Sequence, residues 1–500
     1  MAKYERAFLR DGGSVEFEVS NPAGSGGMKQ VFFVKGRHQV VAFFHDPTLD
    51  PLREERLSKV IGGYNPTRDG GGSHPDYWRE VFCWPTDMVD HPTRGVGIVA
   101  PAYPKCFFFS EGHLTKGKEK SGSWFNCIDR RTGRSFRHIH VAPSERGDLR
   151  MMLHCMLCIA RGVSRMHLAG LAHSDLSENN VLIDPTSGRA LIIDVDSLVV
   201  KGTYPPDVLG TPGYIAPEVL ATRHLDQHDA NRKHPDAETD KHALAVMIYK
   251  YLLERHPLEG RRVIKGVPAE HEDELLYGRE AIYCEHRSDS TNRPVPSDFV
   301  PASALGSRIA DLFHRAFVEG LARPVLRPSA SEWVNAIQSA IDNLVRCTST
   351  DCAHGWFVLG DAPQSHCPFC RSRRTEPVVR FRFEREDKRG WFRPQGVLAA
   401  SQGGSLECRT RVFRFHLDRT AARGAGEDTT PLAEVLWLES PFPGFYLHNL
   451  HLSKLGVRSV GSGSTQYHRV EVSRKVLLDQ DTEICFEPEG ALVRANIEVL

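Results

Sequence analysis

Apolar and polar positions alternate over residues 15–45 around a glycine cluster, a pattern that predicts a strand, a Gly-rich turn, then strands over Val31–Val34 and Gln39–Phe44. Helical spacing takes over at 51–61, where Leu52, Leu57, Val60 and Ile61 recur, and a Gly- and Pro-containing loop follows to Pro75. A further apolar strand is predicted over Val96–Ala102, so one helix interrupts a small antiparallel sheet. Lys105–Gly147 shows neither period and carries Lys116, Lys118, Lys120, Arg130, Arg131, Arg134 and Arg137, the look of a polar, basic insertion. From Asp148 to Leu168 the residues Leu149, Met152, Leu153, Met156, Ile159, Val163 and Met166 define a long buried helix, and Cys155 and Cys158 inside it read as core thiols. Helical spacing returns over Thr239–Glu254 and Ser307–Val345. After Pro377 the chain changes to short alternating runs, VVRFRFE, RVFRFHL, AEVLWLE, HRVEVSRKVLL and TEICFEPE, which predict a separate all-β domain.

Charge changes this picture little: Lys plus Arg and Asp plus Glu both number 63 in 500 residues, so no global field points to a nucleic acid or an anionic membrane as partner. No apolar run reaches the roughly 18–20 residues of a membrane span, and Met1–Gly13 lacks the apolar core of a signal peptide. A cytoplasmic location is expected. The 12 cysteines are too sparse for a disulfide scaffold, apart from one cluster between Cys347 and Cys370.

The densest chemistry lies in His173-Ser174-Asp175-Leu176-Ser177-Glu178-Asn179-Asn180, followed by apolar Val181-Leu182-Ile183 and, after a turn, Leu191-Ile192-Ile193-Asp194. Short apolar segments would pin the loops between them. The string resembles the catalytic and metal-binding loops of eukaryotic-type (Hanks-type) Ser/Thr protein kinases. That resemblance implies that Asp175 accepts the proton of the attacking hydroxyl, that Asn180 and Asp194 ligate Mg²⁺, and that His173 supports the loop. Downstream, Gly210-Thr211-Pro212-Gly213-Tyr214-Ile215-Ala216-Pro217-Glu218 matches the end of a kinase activation segment. By the same resemblance Glu218 pairs with Arg327, and Asp240 holds the catalytic-loop backbone. Ser174 and Ser177 replace the arginine and lysine common in this loop, and Asp194-Val195-Asp196 replaces Asp-Phe-Gly, with Asp196 either a solvated turn residue or an extra acidic group.

The glycine loop holds the main departure. Gly24-Ser25-Gly26-Gly27-Met28-Lys29-Gln30-Val31 follows the family's phosphate-covering loop with lysine in place of the third glycine, and Phe44 in Val41-Ala42-Phe43-Phe44 stands where the strand lysine belongs. Together these resemble the "with no lysine" kinases and imply that Lys29 supplies the phosphate-binding cation; the plain alternative is a solvated strand lysine. Gly24, Gly26, Gly27, Ala102 and Tyr103 are the remaining implied nucleotide contacts. A helix carboxylate usually orients such a lysine; Glu54, with Leu57 and Ile61 at i+3 and i+7, is favoured over Glu55.

Cys347-x4-Cys352-x14-Cys367-x2-Cys370 offers four thiolates from two turns, enough to close a tetrahedral Zn²⁺ site; His354 and His366 could replace one cysteine, but the favoured reading makes His354 a neighbour and His366 a loop residue. The expected architecture is α+β: a bilobal protein-kinase fold (lobes 1–104 and 105–345, with the insertion at 105–147), a zinc ribbon (346–372) and an all-β, sandwich-like domain (375–500). Its aromatics Trp437, Phe442, Phe445 and Tyr446 read as core. The layout resembles bacterial kinases of tellurite-resistance-type stress operons, which implies a protein substrate, with a phosphatase and a von Willebrand A-type protein as partners. The expected function is ATP- and Mg²⁺-dependent transfer to Ser/Thr hydroxyls, with a pseudokinase scaffold as the alternative.

Overall fold

The computed structural model describes residues 2–25, 28–46, 51–68, 75–128, 135–195, 198–200, 210–226, 228–262, 268–295, 299–360, 365–402, 410–418, 430–461, 466–486 and 492–500. The chain divides into two compact units, one of Met1–Gly147, His154–Phe299 and Asp311–Val334, the other of Asp148–Leu153, Val300–Ala310 and Asn335–Leu500.

The first unit opens with β1 (Tyr4–Leu9), β2 (Ser14–Glu18), β3 (Gly24–Ser25), β4 (Lys29–Phe33) and β5 (Gln39–Phe44), then α1 (Pro51–Ile61), α2 (Pro75–Val81), β6 (Asp87–His91) and β7 (Gly95–Pro101). These strands form one antiparallel sheet in the order β2-β1-β6-β7-β5-β4-β3. It curls back on itself, because Phe17 bridges Val34 and the Lys35 N–H donates to Glu16 O at 2.7 Å. Strand alternation then sorts the side chains: Ala7, Phe17, Phe32, Val41, Phe43, Val89 and Val99 fill the inside, while Ala42, Phe44, Met88 and Ile98 meet Leu57 and Ile61 of α1. Strand β1 escapes the sequence pattern because Tyr4 and Phe8 point outward and are exposed. Helix α2 escapes it because only Trp78 and Val81 are buried in so short a segment.

Within 105–147, expected as a polar, basic insertion, several described residues enter the core. Phe107, Phe109 and Phe125 are buried, Lys120 is buried between Glu145 (3.3 Å) and Asp184 (3.1 Å), and Arg137 is buried against Glu254 (2.9 Å). A buried cation persists only with such partners. Arg130, Arg131 and Arg134 lie outside the described residues. A short helix α3 (Phe136–His140) leads into α4 (Leu149–Leu168), whose Cys155 and Cys158 donate to the Arg189 and Ala190 carbonyls as packed thiols. Next come β8 (Leu171–Ala172), β9 (Val181–Asp184), β10 (Arg189–Ile192), β11 (Val199–Val200), α5 (Pro217–Leu220), α6 (Ala237–Leu253), α7 (Ala269–Tyr277), α8 (Ser307–His314), α9 (Gly320–Ala322) and α10 (Ala330–Asp342). Helix α6 starts at a capping box of Asp236 and Thr239 and is buried along nearly its whole length.

In the second unit, the N-terminal turn of α4 is satisfied by the cysteine segment. Leu149 N–H donates to His354 O (2.9 Å) and Trp356 Nε1 to Asp148 Oδ2 (3.0 Å). The hairpin β12 (Leu344–Arg346) and β13 (Trp356–Val358) frames that segment. The remaining strands are β14 (Val378–Glu386), β15 (Phe392–Ser401), β16 (Thr410–Val412), β17 (Ala433–Leu438), β18 (Gly444–Asn449), β19 (Leu455–Ser459), β20 (His468–Arg469), β21 (Lys475–Leu478), β22 (Thr482–Phe486) and β23 (Val493–Val499), with helix α11 (Arg414–Leu417) after β16. They make two antiparallel sheets, β15-β14-β23-β22-β19-β20 and β16-β17-β18-β21, which share one core including Phe381, Phe383, Val435, Phe445, Leu447 and Phe486. RVFRFHL is not a continuous strand: it breaks after Val412 into α11, where Phe413, Phe415 and His416 stack on one another and Leu417 enters the core. Of the aromatics, Phe445 and Tyr446 are buried and Trp437 packs on the core edge, but Phe442 is exposed.

Candidate active site

The loop between β8 and β9 is fixed by its backbone. Asp240 of α6 accepts the His173 N–H (2.7 Å) and the Ser174 N–H (3.3 Å), while the buried His173 ring meets Ile193 O at 2.9 Å. Ser174 adopts a left-handed conformation, φ 65°, which both N–H bonds to Asp240 help to hold. Asp175 thereby faces outward with both oxygens engaged: Oδ2 accepts from Asn180 Nδ2 (2.9 Å) and Oδ1 from Thr211 Oγ1 (2.7 Å). The β9–β10 hairpin pairs Val181 with Ile192, so Asn180 and Asp194 emerge at the same end, tied by Ile193 N–H to Asn180 O (3.0 Å).

Glu218 and Arg327 form the expected buried pair, with two contacts of 2.7 Å, and Arg327 also donates to Gly320 O and Glu238 O at 2.9 Å each. The surplus carbonyl partners make this buried guanidinium sustainable. Thr211 was missed by the motif reading, which treated 210–218 as one segment. Its hydroxyl also reaches the buried Ser177 Oγ (3.1 Å), at the position where related loops carry lysine.

On the sheet side, Lys29 and Phe44 are direct cross-strand partners in the β4–β5 ladder. Such partners present side chains to the same face, with Cβ atoms about 5 Å apart. Phe44 is 4% exposed and packs under α1, and the Lys29 amine lies 5.9 Å from its ring centre and 3.0 Å from Asp194 Oδ1 across the cleft. The cleft encloses about 400 Å³; Val31, Ala42, Ile98 and Tyr103 give it apolar walls, and Lys29, Arg37, Lys105, Glu119 and Asp194 give it charge. Glu119, a second residue the motifs did not reveal, has its carboxyl pushed up by burial and by Asp194. Gly24 and Ala102 line the same space, and the Ala102 N–H is donated to His38 O (2.9 Å). Gly26, Gly27 and Asp196 lie outside the described residues.

Glu54 is not brought to Lys29. Its carboxylate takes Arg10, and it lines a different hollow together with Arg10, Asp11 and Glu55. The i+3 and i+7 argument located the buried stripe correctly, but Glu54 sits at the edge of that stripe, where the β1–β2 turn reaches it.

The four cysteines do converge: Cys347, Cys352, Cys367 and Cys370 place their sulfurs within 4.8 Å of one another, with closest pairs at 3.5 and 3.9 Å. A tetrahedral metal with bonds of about 2.3 Å needs sulfurs about 3.8 Å apart, so the donor set fits a metal ion. Close approach of Cys352 and Cys367 holds the Cys352 thiol below its ordinary range and raises that of Cys367. His354 stacks on Phe369 at 4.0 Å and His366 bonds Ser365, so both stay outside the sulfur set.

A cleft between a curled sheet and a helical body, with this loop geometry, is the arrangement that the kinase-like motifs imply. Residues 129–321 match the family model described as "Protein kinase domain". The chain is 28% identical over 113 residues to a dual serine/threonine and tyrosine protein kinase of Strongylocentrotus purpuratus, covering 23% of this chain and 11% of that one. It is 29% identical over 179 residues to the serine/threonine-protein kinase PkaB of Streptomyces coelicolor, covering 31% and 37%. It is also 28% identical over 153 residues to the DNA damage-responsive serine/threonine-protein kinase RqkA of Deinococcus radiodurans, covering 29% and 21%. The chain thus spans little more than a third of these relatives at most, and the class they support is the protein serine/threonine kinase. Among the described residues no helix is long and apolar enough to cross a membrane.

Proposed function

We propose that this chain transfers the terminal phosphate of ATP to Ser or Thr hydroxyls of a protein. The observation that carries this reading is the convergence on one cleft of Lys29 with Asp194 from opposite sides, beside an Asp175 whose oxygens are held by Asn180 and Thr211. Asp175 would take the proton of the attacking hydroxyl, oriented by its two donors. Val31, Ala42, Ile98 and Tyr103 would sandwich the base, and the Lys29 amine would meet the phosphates. Asn180 and Asp194 would hold Mg²⁺, which supplies neutralising charge at the phosphates.

Phe44 at the usual lysine position and Ser177 at the usual loop lysine favour a second reading, a pseudokinase that binds nucleotide or a partner without transfer. Incubation of the full chain with labelled ATP, Mg²⁺ and a generic protein substrate separates the two. Transfer that Asp175→Ala abolishes supports the kinase; nucleotide binding without transfer supports the scaffold.

The cysteine cluster is proposed to hold one structural Zn²⁺, since four protein ligands leave no open position. Metal analysis should find about one zinc per chain, and Cys367→Ser with Cys370→Ser should lose it and expose residues 346–372 to protease. A role in bacterial stress signalling, a cytoplasmic location, and partnership with a phosphatase and a von Willebrand A-type protein rest on the sequence resemblance.

A further inference from the structure

The turn between β1 and β2 carries two adjacent ionic residues that reach the start of helix α1 and the segment past its end. Arg10 Nη1 donates to Glu54 Oε1 in the first turn of α1, while its Nε and Nη2 grip both oxygens of Asp90 on β6 at 2.9 Å. The Arg10 backbone N–H is itself tied to Met88 O (3.0 Å). Asp11 pairs with Arg68, beyond the helix, at 3.7 Å. Glu54, favoured over Glu55 as the partner of the nucleotide lysine, is thereby committed to the sheet, and Lys29 is on Asp194.

We propose that Arg10 and Asp11 are positioning residues: the amino-terminal hairpin fixes helix α1 on the sheet, so that the helix position does not depend on the nucleotide lysine. The kinetic part rests on the kinase reading; the structural part does not.

The test uses the full chain and follows amide hydrogen exchange over residues 51–61 alongside ATP kinetics. Arg10→Gln and Glu54→Gln should each speed exchange in this helix and lower kcat by about tenfold with KM for ATP nearly unchanged. The double variant should lose no more than Arg10→Gln alone, since both remove one coupling. Lys29→Met should leave exchange at 51–61 as in the parent. Glu54→Gln is a conservative change at a half-exposed site, so it keeps the test interpretable if Arg10→Gln folds poorly. Unchanged exchange in Glu54→Gln, or faster exchange in Lys29→Met instead, would overturn the proposal. Should the parent transfer no phosphate, the kinase reading falls, while the exchange comparison still decides this one.

Discussion

The two sides of the cleft are built to different tolerances. On the helical side the loop residues are held by neighbours that are themselves held: Asp240 grips the loop backbone, Asn180 and Thr211 grip Asp175, and Ile193 N–H grips Asn180. On the sheet side a single long lysine spans the cleft from a strand next to the usual one. A carboxylate that must accept a proton within hydrogen-bond reach cannot move by a residue without losing its alignment. A cation on a flexible four-carbon stem can be presented from either of two paired strands, because cross-strand partners share a face.

The largest expected effect breaks the helical side. Asp194→Asn should reduce transfer by on the order of 10³-fold or more with a near-native melting temperature, since it removes charge rather than packing. Undiminished turnover would remove Asp194 from its proposed role.

Next comes the sheet side. Lys29→Met should cost on the order of 10²-fold in kcat/KM. Phe44→Lys alone should be neutral or harmful, because Phe44 fills apolar space against Leu57 and Ile61 and a second cation there needs a partner. Combining Lys29→Met with Phe44→Lys should recover part of the activity. Recovery shows that the charge matters more than the strand; full activity in Lys29→Met alone would make it a surface lysine.

A smaller effect is expected at Thr211. Thr211→Val keeps the shape but removes the donor to Asp175 and the contact with the Ser177 hydroxyl, and should lower kcat by about tenfold while KM for ATP changes little. An equal loss in KM would mean that the hydroxyl serves nucleotide binding instead.

The last prediction concerns pH and stability. His256, which meets Gly213 O at 2.8 Å in the activation-segment end, has its imidazole pushed down to about 4 by burial. The unfolded chain binds a proton there near pH 6.5. The neutral buried ring therefore contributes stability that is complete above that pH and lost as pH falls toward 4, about 3 kcal/mol in all. Melting temperature should drop across pH 6.5 to 4, and His256→Gln should flatten that part of the profile. An equally steep profile in the variant would assign the loss to other groups.

The string from His173 to Asp194 was legible because part of it is local: Asn180 meets Asp175 on the same loop and Ile193 on the next hairpin, and hydrophobic periodicity marks both. The helices at 51–61 and 149–168 and the convergence of four cysteines were legible for the same reason. Spacing in the chain translates directly into spacing on a helix face or around one ion. Tertiary structure alone decided the rest. It sent Glu54 to Arg10 rather than Lys29, because the β1–β2 hairpin arrives from a segment whose outward aromatics hide its period. It buried Lys120 and Arg137 in a stretch that reads as polar and basic, because their carboxylates come from Asp184 and Glu254, far along the chain. It brought Thr211 onto Asp175, a contact between residues 36 apart that no periodicity encodes. Ion pairs and single hydrogen bonds are point contacts without a repeat, so only the folded arrangement of backbones selects among the partners that a sequence offers.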